Sequence, residues 1–263
     1  MRRRRFTAAR RGGSGSPLVC IHGFMDTWRT WQLVLPALER HHDVLAPTVA
    51  GHAGGPSLAD VGGPAGLVDA LEEAMDDAGF ESARVVGNSL GGYLALHLAA
   101  RGRARSVVAL SPAGGWRGSS FDHMLEAQRE LHDELQSLAP AAEAIAATPW
   151  GRRRATRMIC ERSSHLPASL VSHLIRGAAA CDAIPLLDYV AREGWTIDAE
   201  RITCPVRIAW GGEDKVLPWP SAAERFRNEW LPNADYVELD GVGHCPQLDA
   251  PLVTADVILG FTA

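Results

Sequence analysis

Gly87-Asn88-Ser89-Leu90-Gly91-Gly92 constrains this chain more than any other stretch. A short β-branched run, Arg84-Val85-Val86, precedes it, and an apolar helical run, Tyr93 to Ala100, follows. The pattern predicts a serine where a strand turns sharply into a helix, with glycines two residues before it and two after. Such a turn forces the serine into a strained backbone conformation, and small neighbours leave room for it. The hydroxyl would then stand clear of a sheet. The N–H of Leu90, at the helix start, would point to where a developing oxyanion sits. A glycine-rich turn that merely contains a serine accounts for the same six residues, so the rest of the chain has to decide.

The strand-then-helix rhythm recurs on both sides of this turn. Residues 3–10 can form an edge strand, and Gly12 to Pro17 is a turn cluster. Leu18-Val19-Cys20-Ile21 is a short apolar strand of the kind buried on both faces of a parallel sheet, and it ends in His22-Gly23-Phe24-Met25. Asp26 or Thr27 can cap a helix carrying Trp28, Trp31, Leu35 and Leu38. Residues 43–47 read as a strand. A helix with Leu67, Leu71 and Met75 closes at Gly79, and a strand over 106–110 follows the serine turn and its helix. From about Trp116 to Glu200 the pattern is helical, broken by Pro140, Pro149, Pro167 and Pro185, and reads as an insertion over the sheet. Strands at 206–210 and 236–239 and helices at 221–230 and 251–261 then resume the alternation.

This alternation predicts a parallel sheet covered on both sides, in which ligands bind at the carboxyl ends of strands. His22-Gly23-Phe24, Ser89, Asp214 and His244 all fall at such ends. A serine hydroxyl is a poor nucleophile at neutral pH unless a base lies within reach and an acid fixes that base's tautomer. His244, in the loop Gly241-Val242-Gly243-His244, is the leading base. The other histidines are less well placed: His41 and His42 end a helix, His97 lies mid-helix, and His123, His132, His165 and His173 fall in the insertion. His52 lies in a loop before the serine. Asp214 is the leading acid and its neighbour Glu213 the runner-up. Gly23 permits a turn that directs the N–H of Phe24 inward, beside that of Leu90, as a two-donor oxyanion site. His22 reads as structural.

The order His-Gly-Phe, G-x-S-x-G, Asp, His on such a sheet resembles the α/β-hydrolase fold, over about residues 5–261. The resemblance implies an α/β class with a mostly parallel doubly wound sheet and a helical cap inserted after the sixth strand. The core would comprise residues 1–115 and 201–263 and the cap 116–200. It implies Ser89 as nucleophile, His244 as general base and acid, Asp214 as orienting acid, and Phe24 and Leu90 as backbone oxyanion donors. Met25 and Asn88 flank these groups as substrate contacts. Relatives that are haloalkane dehalogenases or epoxide hydrolases use an aspartate at the elbow, so the serine argues against those reactions. The expected activity is hydrolysis of an ester-type bond in a small to medium, largely apolar substrate. Carbon–carbon cleavage of ring-cleavage products, thioester or lactone hydrolysis, and a receptor that keeps the triad are the alternatives.

The net charge of -5 gives no reason to expect nucleic acid, and the clusters Arg2–Arg5 and Arg152–Arg154 read as solvated faces. Five cysteines, Cys20, Cys160, Cys181, Cys204 and Cys245, show neither C-x-x-C nor zinc spacing, so neither cofactor nor metal is expected. Unpaired cysteines, no apolar run after the basic start and no membrane-length apolar run predict a cytoplasmic protein without a membrane partner. Trp116, Phe121, Trp150, Tyr189 and Trp195 mark the insertion as the roof of an apolar pocket; Arg162 and Arg176 could meet an anionic substrate there.

Overall fold

A computed structural model of the protein describes residues 6–116 and 118–262; Arg2–Arg5 lie outside the described residues. Among these, seven strands form one sheet: β1 (Ala9–Gly13), β2 (Ser16–Ile21), β3 (His42–Pro47), β4 (Ala83–Asn88), β5 (Ala104–Leu110), β6 (Val206–Gly211) and β7 (Asp235–Leu239). The order is β1-β3-β2-β4-β5-β6-β7. Only β1 runs antiparallel to its neighbour. The helices are α1 (Leu35–Leu38), α2 (Leu67–Asp77), α3 (Leu90–Ala100), α4 (Ser119–Leu138), α5 (Ala142–Ala147), α6 (Pro149–Thr156), α7 (Ala168–Ala179), α8 (Pro185–Glu193), α9 (Pro246–Asp249) and α10 (Pro251–Thr262).

Successive strand residues point to opposite faces, so the central strands carry two cores. Val19, Ile21, Val85, Val107, Ala109, Ile208 and Trp210 pack with residues of α2 and α3. Leu18, Cys20, Val86, Val108, Leu110 and Ala209 pack with Trp31, α1 and Ile258 of α10. Both faces being buried explains why these strands are continuous apolar runs rather than alternating ones.

Local differences from the sequence reading have physical causes. The edge strand starts at Ala9 and runs through Gly13, so only Ser14-Gly15 turns. A side chain at Gly13, whose φ is +83°, would place its Cβ 2.2 Å from the carbonyl oxygen of His42. His42 does not end a helix but opens β3, held between Ser16 and Thr262 hydroxyls at 2.9 and 3.1 Å. The helix expected over residues 28–38 splits into a 3-10 turn, Trp28–Trp31, and α1, because Pro36 has no N–H to continue the first piece. Residues 221–230 likewise divide into a 3-10 turn, Ser221–Ala223, and a π turn, Phe226–Trp230, which buries Phe226 against Trp210 and Trp230.

Between β5 and β6 the chain runs through α4–α8. Among the described residues this helical stretch follows the fifth strand rather than the expected sixth. Pro149 and Pro185 sit in the first turns of α6 and α8 and Pro167 caps α7, positions where a missing N–H costs nothing. The stretch has a small core of its own, Ala142, Ala146, Leu166, Leu170, Val171 and Ile175. Cys245 and Leu248, from the loop and helix after β7, complete it.

Candidate active site

Ser89 sits between β4 and α3 with φ 53° and ψ -117°, a conformation that side chains other than glycine rarely adopt. The strain is held by packing and hydrogen bonds. The Ser89 N–H donates to Leu110 O at 2.9 Å, and Ser89 O accepts from Ala113 N–H at 3.0 Å and Tyr93 N–H at 3.1 Å. The flanking glycines are dictated by space: a Cβ at Gly87 would lie 2.1 Å from Gly91 O, and one at Gly91 2.1 Å from Ile21 O. The crossing of helix and strands at this point is therefore too close for any side chain.

His244 follows β7 and Asp214 follows β6. The ring Nδ1–H of His244 donates to Asp214 Oδ2 at 2.8 Å, with both side chains buried. The other oxygen of Asp214 accepts the N–H groups of Val216 and Leu217 at 2.8 and 2.7 Å. A carboxylate so held fixes the tautomer of His244 and leaves Nε2 to act as acceptor. Glu213 is exposed, so the runner-up faces solvent. His22 donates from Nδ1 to Gly23 O at 2.7 Å and accepts at Nε2 from Val49 N–H at 2.9 Å. Burial, with His52 beside it, holds His22 well below the usual imidazole range, so it is a neutral strut under the loop.

Ser89, Leu90, Asn88, Gly23, Phe24, Met25 and His244 all line one cavity of about 1100 Å³. Its remaining wall is mostly aliphatic and comes largely from α4–α8. Of the aromatic residues singled out in the sequence, Trp116, Trp150 and Trp195 line the cavity, whereas Phe121 and Tyr189 pack on the main core. Arg162 donates to Gly241 O at 3.0 Å and Arg176 pairs with Glu143, so both are engaged away from the cavity. The described residues contain no helix long and apolar enough to cross a membrane and no cluster suited to a metal. The five cysteines are free thiols.

Asn88 lines the cavity and is also bonded within the protein on each of its polar atoms. Its amide nitrogen donates to Leu110 O at 3.1 Å and His244 O at 2.9 Å. Its oxygen accepts from Gln247 Nε2 at 3.0 Å and Cys245 Sγ at 3.3 Å. Every polar valence is used, so Asn88 ties the serine turn to the histidine loop and has no hydrogen bond left for a substrate. Gln247 continues the chain to Thr30 Oγ1 at 3.0 Å.

Sequence reasoning missed Asp249. This buried carboxylate accepts three main-chain N–H groups: Gly243 at 2.7 Å and Glu161 at 2.9 Å on Oδ2, and Arg162 at 2.7 Å on Oδ1. Cys245 N–H also donates to Ile159 O at 2.8 Å. The loop presenting His244 is thus knotted to residues 159–162 of the helical stretch. The available signal was an aspartate directly between Leu248 and Ala250, where a charge that is buried must find partners. Asp26, read only as a possible cap, also lines the cavity, while Thr27 makes the cap to Arg29 N–H at 3.3 Å.

These features accord with what the chain is similar to. A model of the alpha/beta hydrolase family matches residues 18–257. Epoxide hydrolase EphH of Mycobacterium tuberculosis (strain ATCC 25618 / H37Rv) is 33% identical over 199 residues, covering 74% of this chain and 92% of that protein. The 2-hydroxymuconate semialdehyde hydrolase of Pseudomonas sp. (strain CF600) is 37% identical over 115 residues, 39% of this chain and 38% of that one. A thermophilic esterase from Thermogutta terrifontis shares the fold at a TM-score of 0.70 and 18% identity, covering 96% of this chain and 91% of its own. The match over residues 18–257, on a mostly parallel sheet covered by helices on both faces, shows that the chain belongs to the alpha/beta hydrolase family.

Proposed function

We propose that the protein is a serine hydrolase that cleaves an ester-type bond of a largely apolar substrate through an acyl-enzyme. The observation that carries this reading is the buried His244–Asp214 pair at 2.8 Å, with His244 on the same cavity wall as a serine held at φ 53°. Nε2 of His244 takes the proton of Ser89 as Oγ attacks the carbonyl carbon. The N–H groups of Phe24 and Leu90 stabilise the oxyanion, a donor of this kind contributing on the order of 3 kcal/mol. His244 then protonates the departing alcohol, and a water activated by the same ring releases the acid. Residues 116–200 act as the cap, and the cavity's 1100 Å³ favours a medium rather than a small substrate. The five free thiols support a cytoplasmic setting.

The chemistry of Ser89 also bears on epoxide opening, the activity named for one relative. A serine attacking an epoxide carbon would form an alkyl ether, which water at this site does not hydrolyse; attack on an acyl carbon forms an ester, which it does. Carbon–carbon cleavage remains the second reading, favoured by the relative named 2-hydroxymuconate semialdehyde hydrolase. The test is Ser89→Ala with short p-nitrophenyl esters and labelling by a serine-directed phosphonate. Loss of turnover in a folded variant and one adduct, on Ser89, are expected. Turnover near the parent level in pure Ser89→Ala protein would overturn the assignment. A panel adding thioester, lactone, epoxide and vinylogous diketone substrates ranks the reactions.

A further inference from the structure

Asp26 is not used by the mechanism above, yet it lines the same cavity as Ser89. It follows Phe24 by two residues. Its immediate surroundings lead back to the serine turn through Thr30, which hydrogen-bonds it, then Gln247 and then Asn88. The Thr27 N–H donates to Oδ1 at 2.7 Å. Among the described residues no cation pairs with it. Its charge reaches Cys160 and Cys245, thiols whose ionisation burial opposes. Burial pushes the Asp26 carboxyl up to about 7, against the pull of the Thr27 N–H and the Thr30 hydroxyl, so above that pH Asp26 adds a negative charge to a cavity wall that also carries Glu130 and Glu134.

The cations on the same wall are committed elsewhere. Lys215 is paired with Glu161 and with the carbonyl of Arg157. Arg154 lies over the ring of Trp150, a residue 71% exposed, and Arg157 is exposed and donates to Arg154 O. Asp26 therefore brings a carboxylate, with no paired cation among the described residues, to the cavity that holds Ser89.

We propose that Asp26 is a specificity-determining residue that restricts the site to substrates uncharged around the scissile carbonyl and rejects those carrying a carboxylate there. The inference rests on the proposed hydrolase reading for its meaning, but not for its test. It separates the two leading reactions: neutral esters fit, whereas an acid with its carboxylate close to the bond being cut meets like-charge repulsion in a low-dielectric pocket.

Two measurements at pH 8 decide it. The first compares kcat/KM for p-nitrophenyl butyrate and p-nitrophenyl hemisuccinate, which differ by a carboxylate, in the parent protein, Asp26→Asn and Asp26→Ser. The butyrate-to-hemisuccinate ratio is expected to fall about tenfold or more in both variants, whatever happens to the absolute rates. The second titrates hexanol and hexanoate, followed by tryptophan fluorescence, into Ser89→Ala with and without Asp26→Asn. The preference for the alcohol should shrink by a similar factor. Ratios unchanged within twofold in both measurements would overturn the role of Asp26 (a tenfold effect is about 1.4 kcal/mol). If neither ester is turned over in a Ser89-dependent way, the hydrolase reading fails, and the binding pair alone decides for or against Asp26.

Discussion

Replacing Asp249 by Asn tests whether the histidine loop is held by the knot described above. The carboxylate receives three main-chain N–H groups, two on Oδ2 and one on Oδ1, at 2.7–2.9 Å. An asparagine can turn its carbonyl toward Gly243 and Glu161 and keep two of these bonds, now without charge assistance. Its NH2 then faces the Arg162 N–H, donor against donor, in a site that is 2% exposed. Losing one charged hydrogen bond and burying an unmatched donor together cost about 2–5 kcal/mol. For a chain of this length each kcal/mol moves the melting temperature by roughly 2–4 °C, so a drop on the order of 10 °C is expected. The assay is thermal unfolding by circular dichroism at pH 7.5, paired with ester turnover of the protein that remains folded at 20 °C. Because Gly243 adjoins His244, kcat should fall more than KM rises. A melt within about 2 °C of the parent, or a loss confined to KM, would refute the claim that this carboxylate positions the loop.

Other outcomes follow from the same geometry. Gly91→Ala places a Cβ 2.1 Å from Ile21 O, between backbone segments that cannot move apart, and should give little or no folded protein on expression; a normal melt would show that α3 is not packed as described. Asp26 titrates near 7 in the folded chain and near 4 when unfolded. The folded state therefore holds the proton over that interval, and stability falls as pH rises through it. Asp26→Asn should accordingly melt higher than the parent at pH 8, with the advantage gone by pH 4.5; an equal difference at both pH values would contradict this. His52 runs the other way: burial lowers it to about 4, so its contribution is present above pH 6.5 and is lost as pH falls through 4. Its ring resonances should show no protonation above about pH 5, and a midpoint near the ordinary 6.5 would refute the buried neutral assignment.

Much of the architecture was legible because it is enforced locally. β-branched apolar runs, glycine turns and helical spacing alternate along the chain, and a parallel sheet covered on both faces satisfies that order. The elbow was legible because glycine leaves a distinct mark: Gly87 and Gly91 are present where main chains approach too closely for a Cβ. The placing of Ser89, Asp214 and His244 just after strands followed from the same reading. The breaks at Pro36 and within 221–230 were less legible, since apolar spacing continues through a helix whose hydrogen bonds do not.

Tertiary structure alone decided what these residues touch. Asn88 stands beside the serine in sequence, but its hydrogen bonds reach Cys245 and Gln247, 157 and 159 positions away. Asp249 looks like an ordinary residue between Leu248 and Ala250 until the chain brings residues 161, 162 and 243 to its two oxygens. Asp26 becomes a charge in a cavity only because α4–α8 fold over it. Periodicity and turn chemistry act over a few residues and are written in order along the chain. The fate of a buried charge depends on partners that the fold delivers from far away, and no local pattern records them.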